Sequence, residues 1–518
     1  MNLTRRELVQ GAVFAGVAAS VQQLAAAAGE SRSSARKPRT IYFNDARHYY
    51  LFVFEPPMKL VDAWRPIDEV AGTAVDTFIY GVERGDGLFY PSKVGMQFGE
   101  DKRPFTYGVY WRVWQNMQSL TDRGLDPLKV LIDRAHSKDM EFFASLRMSS
   151  YGRMKPEFKV PEGRGMAHRE VRDHQFKVLE ELATAYDIEG VELDFAAAPG
   201  GMPMILRKED AREFTPVMTD YVKKISQMVS GRPGRAGQIG ARIYPTEAMN
   251  LAQGLDVRAW LKQRLVDFVV PMFYLDFTLD PDMPIDWLVD AAHEADVSVY
   301  GMLMPYVANE ATGSPVTVHA TPEQMRAAAA NNWNRGVDGL YTWFMRWPLG
   351  DAERRTLTEL GDRELIQEAD KHYILRRRSQ QASEMGYDAH LPIDIKSADP
   401  DKRYTVPFSI SDNIERSKDR IRRVGLRIRI DNLVSGDRLT VRLNGESLAN
   451  ETCLRDFVDT PYQGQWLEFE LKATRPRMGQ NALEVSLDGR PDGLEGGVSI
   501  QNVEVLVEYG AYPSSLNE

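Results

Sequence analysis

A single cysteine, Cys453, stands among 518 residues, so no intramolecular disulfide can staple this fold. Histidine is scarce as well. The eight present form no His-x-x-x-His pair and no cluster with cysteine, so neither a metal site nor a metal cofactor is expected. Asp280, Asp282 and Asp286 are close enough in sequence to suggest calcium, but a polar loop is the simpler account. No Gly-x-Gly-x-x-Gly follows the first predicted strand, which disfavours a dinucleotide fold. No Gly-x-Ser-x-Gly marks a serine nucleophile. An excess of positive charge is missing too: the net charge is −10, and nothing would neutralise phosphates over a broad surface. A nucleic-acid partner is not expected.

Long apolar runs are absent beyond residue 29, where nothing approaches the roughly 20 residues of a membrane span. Residues 1–29 have their own pattern. Arg5-Arg6 is followed by a diluted apolar stretch from Gly11 to Leu24 and then by Ala25–Gly29, the order of a secretory signal with small residues at its cleavage point. The paired arginines suggest a twin-arginine address, by which folded protein is exported. A periplasmic or secreted location is therefore expected, and residues 30–39 read as a polar linker.

What is present is ordinary for a globular protein: 43% hydrophobic and 27% charged residues. The length calls for two or three domains. From Thr40 to about residue 350, short β-rich runs alternate with helical stretches. The predicted strands are Ile41–Asn44, Thr77–Val82, Glu141–Met148, Gly190–Phe195, Ile239–Tyr244, Phe268–Tyr274, Ser298–Met304 and Gly339–Phe344. Eight strands alternating with helices or long loops predict an α/β fold, a (β/α)₈ TIM barrel over 40–350. Residues 351–384 read as a charged helical segment packed on the barrel. From 385 to 518, apolar and polar residues alternate in short runs separated by turns such as Asn444-Gly445 and Asp488-Gly489, which predicts a C-terminal antiparallel β-sandwich domain.

In such a barrel, chemistry sits at the C-terminal ends of the strands, and inward residues alternate with outward ones. On the fourth strand Val191, Leu193 and Phe195 share one face, while Glu192 and Asp194 share the other and point inward. Two carboxylates there are costly unless partnered, and crowding pushes their proton affinities apart. Asp194 and Glu192 are the candidate catalytic pair; a structural pair held by barrel arginines is the competing account. Arg147 ends the third strand, Arg242 and Tyr244 share a face of the fifth, and Met272, Tyr274 and Asp276 form a row on the sixth. Strand eight carries Tyr341 and Trp343, with Trp347 beyond. Together with Asp45 and Tyr306, these arginines and aromatics suit sugar rings and hydroxyls, although core packing explains any one aromatic equally well. The segment from Glu83 to Asp126, rich in aromatics, is long for a loop and is expected to wall one side of a cleft.

Here the residues reach a resemblance. Glu189-Gly190-Val191-Glu192-Leu193-Asp194-Phe195 resembles the Asp-Gly-apolar-acid-apolar-Asp fourth strand of glycoside-hydrolase barrels. Ser145–Met148 and Gly336–Tyr341 are similar to strands three and eight of the bacterial glycosyl-hydrolase-like family 10. Met272-Phe273-Tyr274 with Asp276 distantly resembles the sixth strand of family-18 chitinases, with one residue inserted before the aspartate. The resemblance covers residues 40–350 and speaks to superfamily rather than substrate. It implies cleavage of a glycosidic bond in an oligo- or polysaccharide by two carboxylates. One departure stands out: Ala196 occupies the place of the chitinase acid. A second carboxylate would then come from Asp276, Glu247 or Glu310, each just past a strand end. A non-catalytic glycan-binding protein, or a lyase or isomerase of sugar acids, remains the alternative, since barrels host many chemistries.

Overall fold

The computed structural model describes residues 36–45, 50–84, 87–148, 158, 164–196, 205–232, 236–274, 278–309, 314–457 and 464–510. The proposed signal and most of the linker lie outside them, as do Asp276 and Glu310. Among the described residues no helix is long and apolar enough to cross a membrane.

Eight parallel strands close into a barrel: β1 (Thr40–Asp45), β2 (Thr77–Gly81), β3 (Glu141–Arg147), β4 (Gly190–Asp194), β5 (Gln238–Ile243), β6 (Phe268–Pro271), β7 (Ser298–Leu303) and β8 (Gly339–Trp343). Each lies beside its neighbour in sequence, and β8 closes onto β1 with Phe43 opposite Trp343. Every strand is buried along nearly its whole length, as expected when helices cover the outside and side chains fill the inside.

The helices start where their caps are. Asp126 accepts the backbone N–H groups of Leu128 and Lys129 and opens α1 (Pro127–His136) with proline at its first position. Its Leu128, Leu131 and Ala135 turn one stripe to the core. Thr321 and Gln324 form a reciprocal capping box at α2 (Pro322–Asn334), which stops before Gly336 at φ 89°.

The bottom of the barrel is plugged by Arg39, a residue read from sequence as linker. Its guanidinium donates to Glu141 at 2.7 Å, the Tyr300 hydroxyl at 2.9 Å and Gln238 at 2.6 Å. It also lies over the rings of Phe143 and Phe268. The linker expectation fails at this position because residue 39 stays in step with the inward row of β1 (41, 43, 45). Above it, Gly240 makes room for Phe268: a Cβ there would lie 2.1 Å from the ring.

The C-terminal region holds two antiparallel sheets. One runs β9 (Lys371–Ile374), β10 (Ile393–Ile395), β11 (Ile421–Asp431), β12 (Thr452–Phe457), β13 (Gly464–Glu470) and β14 (Val498–Tyr509), with β14 at its centre beside β9, β10 and β11. The other comprises Tyr404–Ile410, Gly479–Gly489, Arg438–Leu443 and Glu446–Ser447. Both contribute to one apolar core, including Val406, Phe408, Leu426, Ile428, Leu483, Val485, Ile500 and Val505. Asn444 and Gly445 make the predicted turn with φ of 52° and 88°, whereas Asp488 and Gly489 end a strand. The segment 351–384 is not wholly helical: Lys371–Ile374 pairs with β14. Its Lys371 is buried and ion-paired to Asp412 at 2.9 Å, and Asp412 also accepts from the hydroxyls of Tyr373 and Tyr509.

Candidate functional site

The inward rows of β1 to β5 converge at their C-terminal ends. Strand alternation sends Glu192 and Asp194 into the barrel, and parallel pairing sets Arg147 and Arg242 level with Asp194 on its two sides. Arg242 is the centre of the arrangement. Its Nη2 donates to Asp194 Oδ2 at 2.8 Å and to Ser145 Oγ at 3.0 Å, and its Nε lies 3.0 Å from Glu192 Oε1. Aromatic faces enclose it, with the guanidinium carbon 4.1 Å from the Phe43 ring centre and 4.7 Å from that of Trp343. Glu192 Oε1 also accepts from Ser145 at 2.7 Å and Tyr341 at 3.2 Å.

Arg147 joins a second set of carboxyls. It donates to Asp45 Oδ2 at 2.7 Å, stands 3.9 Å from Asp194 Oδ2, and its Nη1 is 4.0 Å from Glu83 Oε1. Glu83 was not singled out as a candidate from sequence. It follows β2 in a small hairpin, paired with Leu88. Gly87, paired with Arg84 across the hairpin, has a φ of 154° and an approach to the Phe98 backbone that leave no space for a side chain. The signal for Glu83 was available: Ile79, Gly81 and Glu83 share the inward parity of β2.

All four acids are buried, none more than 2% exposed, against two guanidiniums among the described residues. Were all four ionised, two negative charges would remain uncompensated inside the barrel. Each uncompensated buried charge costs several kcal/mol, whereas keeping a carboxyl with a reference value of 4.5 protonated at pH 7 costs about 3.4 kcal/mol. Protonation wins. Burial is the leading cause that pushes Glu83 up to about 8, with Arg147 opposing it and Asp45 and Asp194 reinforcing it. Burial also raises Glu192, against the pull of Arg242. The two arginines hold their protons more tightly than usual because their acids outweigh the effect of burial.

Other candidates fall elsewhere. Trp343 is fully buried, tilted against Phe43 with ring centres 4.4 Å apart and edge-on to Tyr274 at 6.2 Å, so its ring packs the barrel. Tyr244 is buried at the end of β5, where desolvation raises its hydroxyl well above the usual tyrosine range. Tyr306 lies in a hairpin after β7 and packs on His319, with ring centres 4.5 Å apart. Trp347 sits edge-on to Phe54 in the loop after β8. Glu247 is not part of the cluster: it begins the helix Glu247–Ala252 and pairs with half-exposed Arg258 at 2.5 Å. Asp282 and Asp286 are held by Arg335 and Asp280 by Arg376, and no group of three metal-ligating side chains occurs among the described residues. The segment from Glu83 to Asp126 is structured rather than open. Phe89 and Phe98 stack within it at 5.0 Å, and its helix Gly108–Thr121 leaves Tyr107 and Trp111 exposed.

No family model matches the sequence, and no curated protein matches it. Solved structures similar to this one include alpha-L-fucosidase isoenzyme 2 from Paenibacillus thiaminolyticus, 10% identical over 67% of this chain and 53% of that one, with a TM-score of 0.41. An alpha-L-fucosidase from Vibrio sp. strain EJY3 is 11% identical over 86% of each chain, at 0.37. A Paenibacillus sp. cycloisomaltooligosaccharide glucanotransferase is 12% identical over 91% of this chain and 58% of that one, at 0.32. The chain thus spans little more than half the length of the glucanotransferase and of the first fucosidase. Likeness at this level carries no inference about activity. The barrel is established by its own strand order.

Proposed function

We propose that this chain is an exported glycoside hydrolase that cleaves a glycosidic bond of an oligo- or polysaccharide at the C-terminal mouth of its barrel. The observation that carries the reading is the cluster of four buried carboxyls around Arg147 and Arg242 at the ends of β1 to β5. It sets Glu83, whose carboxyl is pushed up by burial, beside Asp194 and Asp45, which are ion-paired to guanidiniums. A two-carboxylate mechanism needs one group that donates a proton and a second that attacks the anomeric carbon or activates water. Asp194 is the assigned carboxylate. Glu192, beneath it and fully enclosed, tunes Arg242. The motifs of β4 and β8 favour the glycosyl-hydrolase-like family 10 type. The C-terminal sheets, taken as a β-sandwich, brace the barrel through α2.

The sugar-acid reading is weaker because both guanidiniums are already ion-paired to the protein's own carboxylates. Purified protein assayed against aryl glycosides and a panel of polysaccharides tests the proposal. Turnover by the wild type, abolished in Asp194→Asn with glycan binding retained, is the expected result. Binding without turnover by the wild type would establish the binding-protein alternative, and an unsaturated product would establish a lyase.

A further inference from the structure

Resting on the hydrolase reading above, we propose that Glu83 is the proton donor of the site, giving its hydrogen to the leaving oxygen while Asp194 serves as the carboxylate. The assignment follows from how donors are shared out. Asp45 takes Nη2 of Arg147, Asp194 takes Arg242 and the backbone N–H of Ala196, and Glu192 takes Ser145 and Tyr341. Neither carboxyl oxygen of Glu83 receives a hydrogen bond, although both are buried. A carboxylate in that position would be severely undersolvated; a neutral carboxylic acid is not, and it offers one O–H.

The groups facing Glu83 come from three strands: Arg147 on β3, Asp45 on β1 and Asp194 on β4. The one guanidinium is 4.0 Å away and committed to Asp45. The Glu83 backbone is held as well, its carbonyl accepting from Arg147 at 3.4 Å. A value of about 8 agrees with a group that keeps its proton at neutral pH. Glu69 is also pushed to about 8 by burial, but it caps the short helix Arg65–Asp68, off the strand ends that carry the cluster.

In the step, the bond between the anomeric carbon and the leaving oxygen breaks. Its electron pair stays on that oxygen, which takes the Glu83 proton. Water supplies the new oxygen on the anomeric carbon, and a proton from that water restores the carboxylic acid.

The test compares wild type, Glu83→Gln and Glu83→Asp on aryl glycosides whose leaving groups range from poor to excellent. Glu83→Gln should lose about a hundred- to ten-thousand-fold in kcat/KM on poor leaving groups and little on dinitrophenyl glycosides, which need no acid. The alkaline limb of the wild-type profile, at about 8, should vanish, and Glu83→Asp should restore part of the rate. Equal losses on all leaving groups, or an unchanged alkaline limb, would overturn the assignment while leaving the hydrolase reading intact. If the wild type turns over no glycoside, the hydrolase reading itself fails and the donor role falls with it. The infrared carboxylic-acid absorption at neutral pH, weaker in Glu83→Gln than in wild type by the share of one carboxyl, then still reports whether Glu83 holds a proton, since Glu69 contributes equally to both proteins.

Discussion

Replacing Glu83 with glutamine should change how the stability of the protein depends on pH. The native carboxyl is held at about 8 against a reference of 4.5, so between those values the folded state binds more protons than the unfolded chain. Stability from this group is therefore fully present below about 4.5 and is lost as pH rises through about 8. The slope across that window is about 1.4 kcal/mol per pH unit, which makes the full span on the order of 5 kcal/mol as an upper figure, because neighbouring carboxyls share the effect. Glutamine has the same shape and no proton to lose. Its buried amide carries a fixed cost of about 1–3 kcal/mol for unmet hydrogen bonds, independent of pH. Urea unfolding of both proteins, followed by near-ultraviolet dichroism at mildly acidic and mildly alkaline pH, supplies the comparison. The variant should be the less stable in acid and should gain several kcal/mol on the wild type in alkali. A stability difference that stays constant with pH would refute the claim that Glu83 is buried as a neutral acid.

Arg39→Met should cost about 3–5 kcal/mol by stranding Glu141 at the barrel floor. It should lower the melting temperature while leaving turnover per folded molecule unchanged, because the change lies at the end opposite the mouth. Gly240→Ala should destabilise by about 1–3 kcal/mol or more in thermal unfolding, since the added carbon meets the Phe268 ring. Lys371→Met leaves Asp412 buried without its cation and should cost about 3–5 kcal/mol; limited proteolysis should then cut the C-terminal sheets sooner than the barrel.

The eight barrel strands were legible because parallel strands covered on both sides appear as compact β-rich runs, and each lies within a few residues of its expected bounds. The alternation of β4 likewise sufficed to send Glu192 and Asp194 inward and to bring Arg147 and Arg242 beside them. Beyond the strand ends, that logic was stopped too early. Glu83 lies one residue past the predicted Thr77–Val82 and Arg39 two before Ile41, yet both keep the period-two parity of the inward rows. Tertiary packing decided what parity could not. Trp343 was a candidate sugar platform, but packed against Phe43 and Arg242 it is fully buried and offers no exposed face. Glu247 lies just past a strand end, as a second carboxylate should, yet its neighbour Arg258 draws it into a partly exposed pair.

The most direct measurement is the mass of the product formed in water enriched in heavy oxygen. Hydrolysis at this mouth predicts a new reducing end carrying one heavy oxygen at its anomeric carbon, made by the wild type and not by Asp194→Asn. An unlabelled product lighter by one water, or a glycan bound but returned unchanged, would contradict the account.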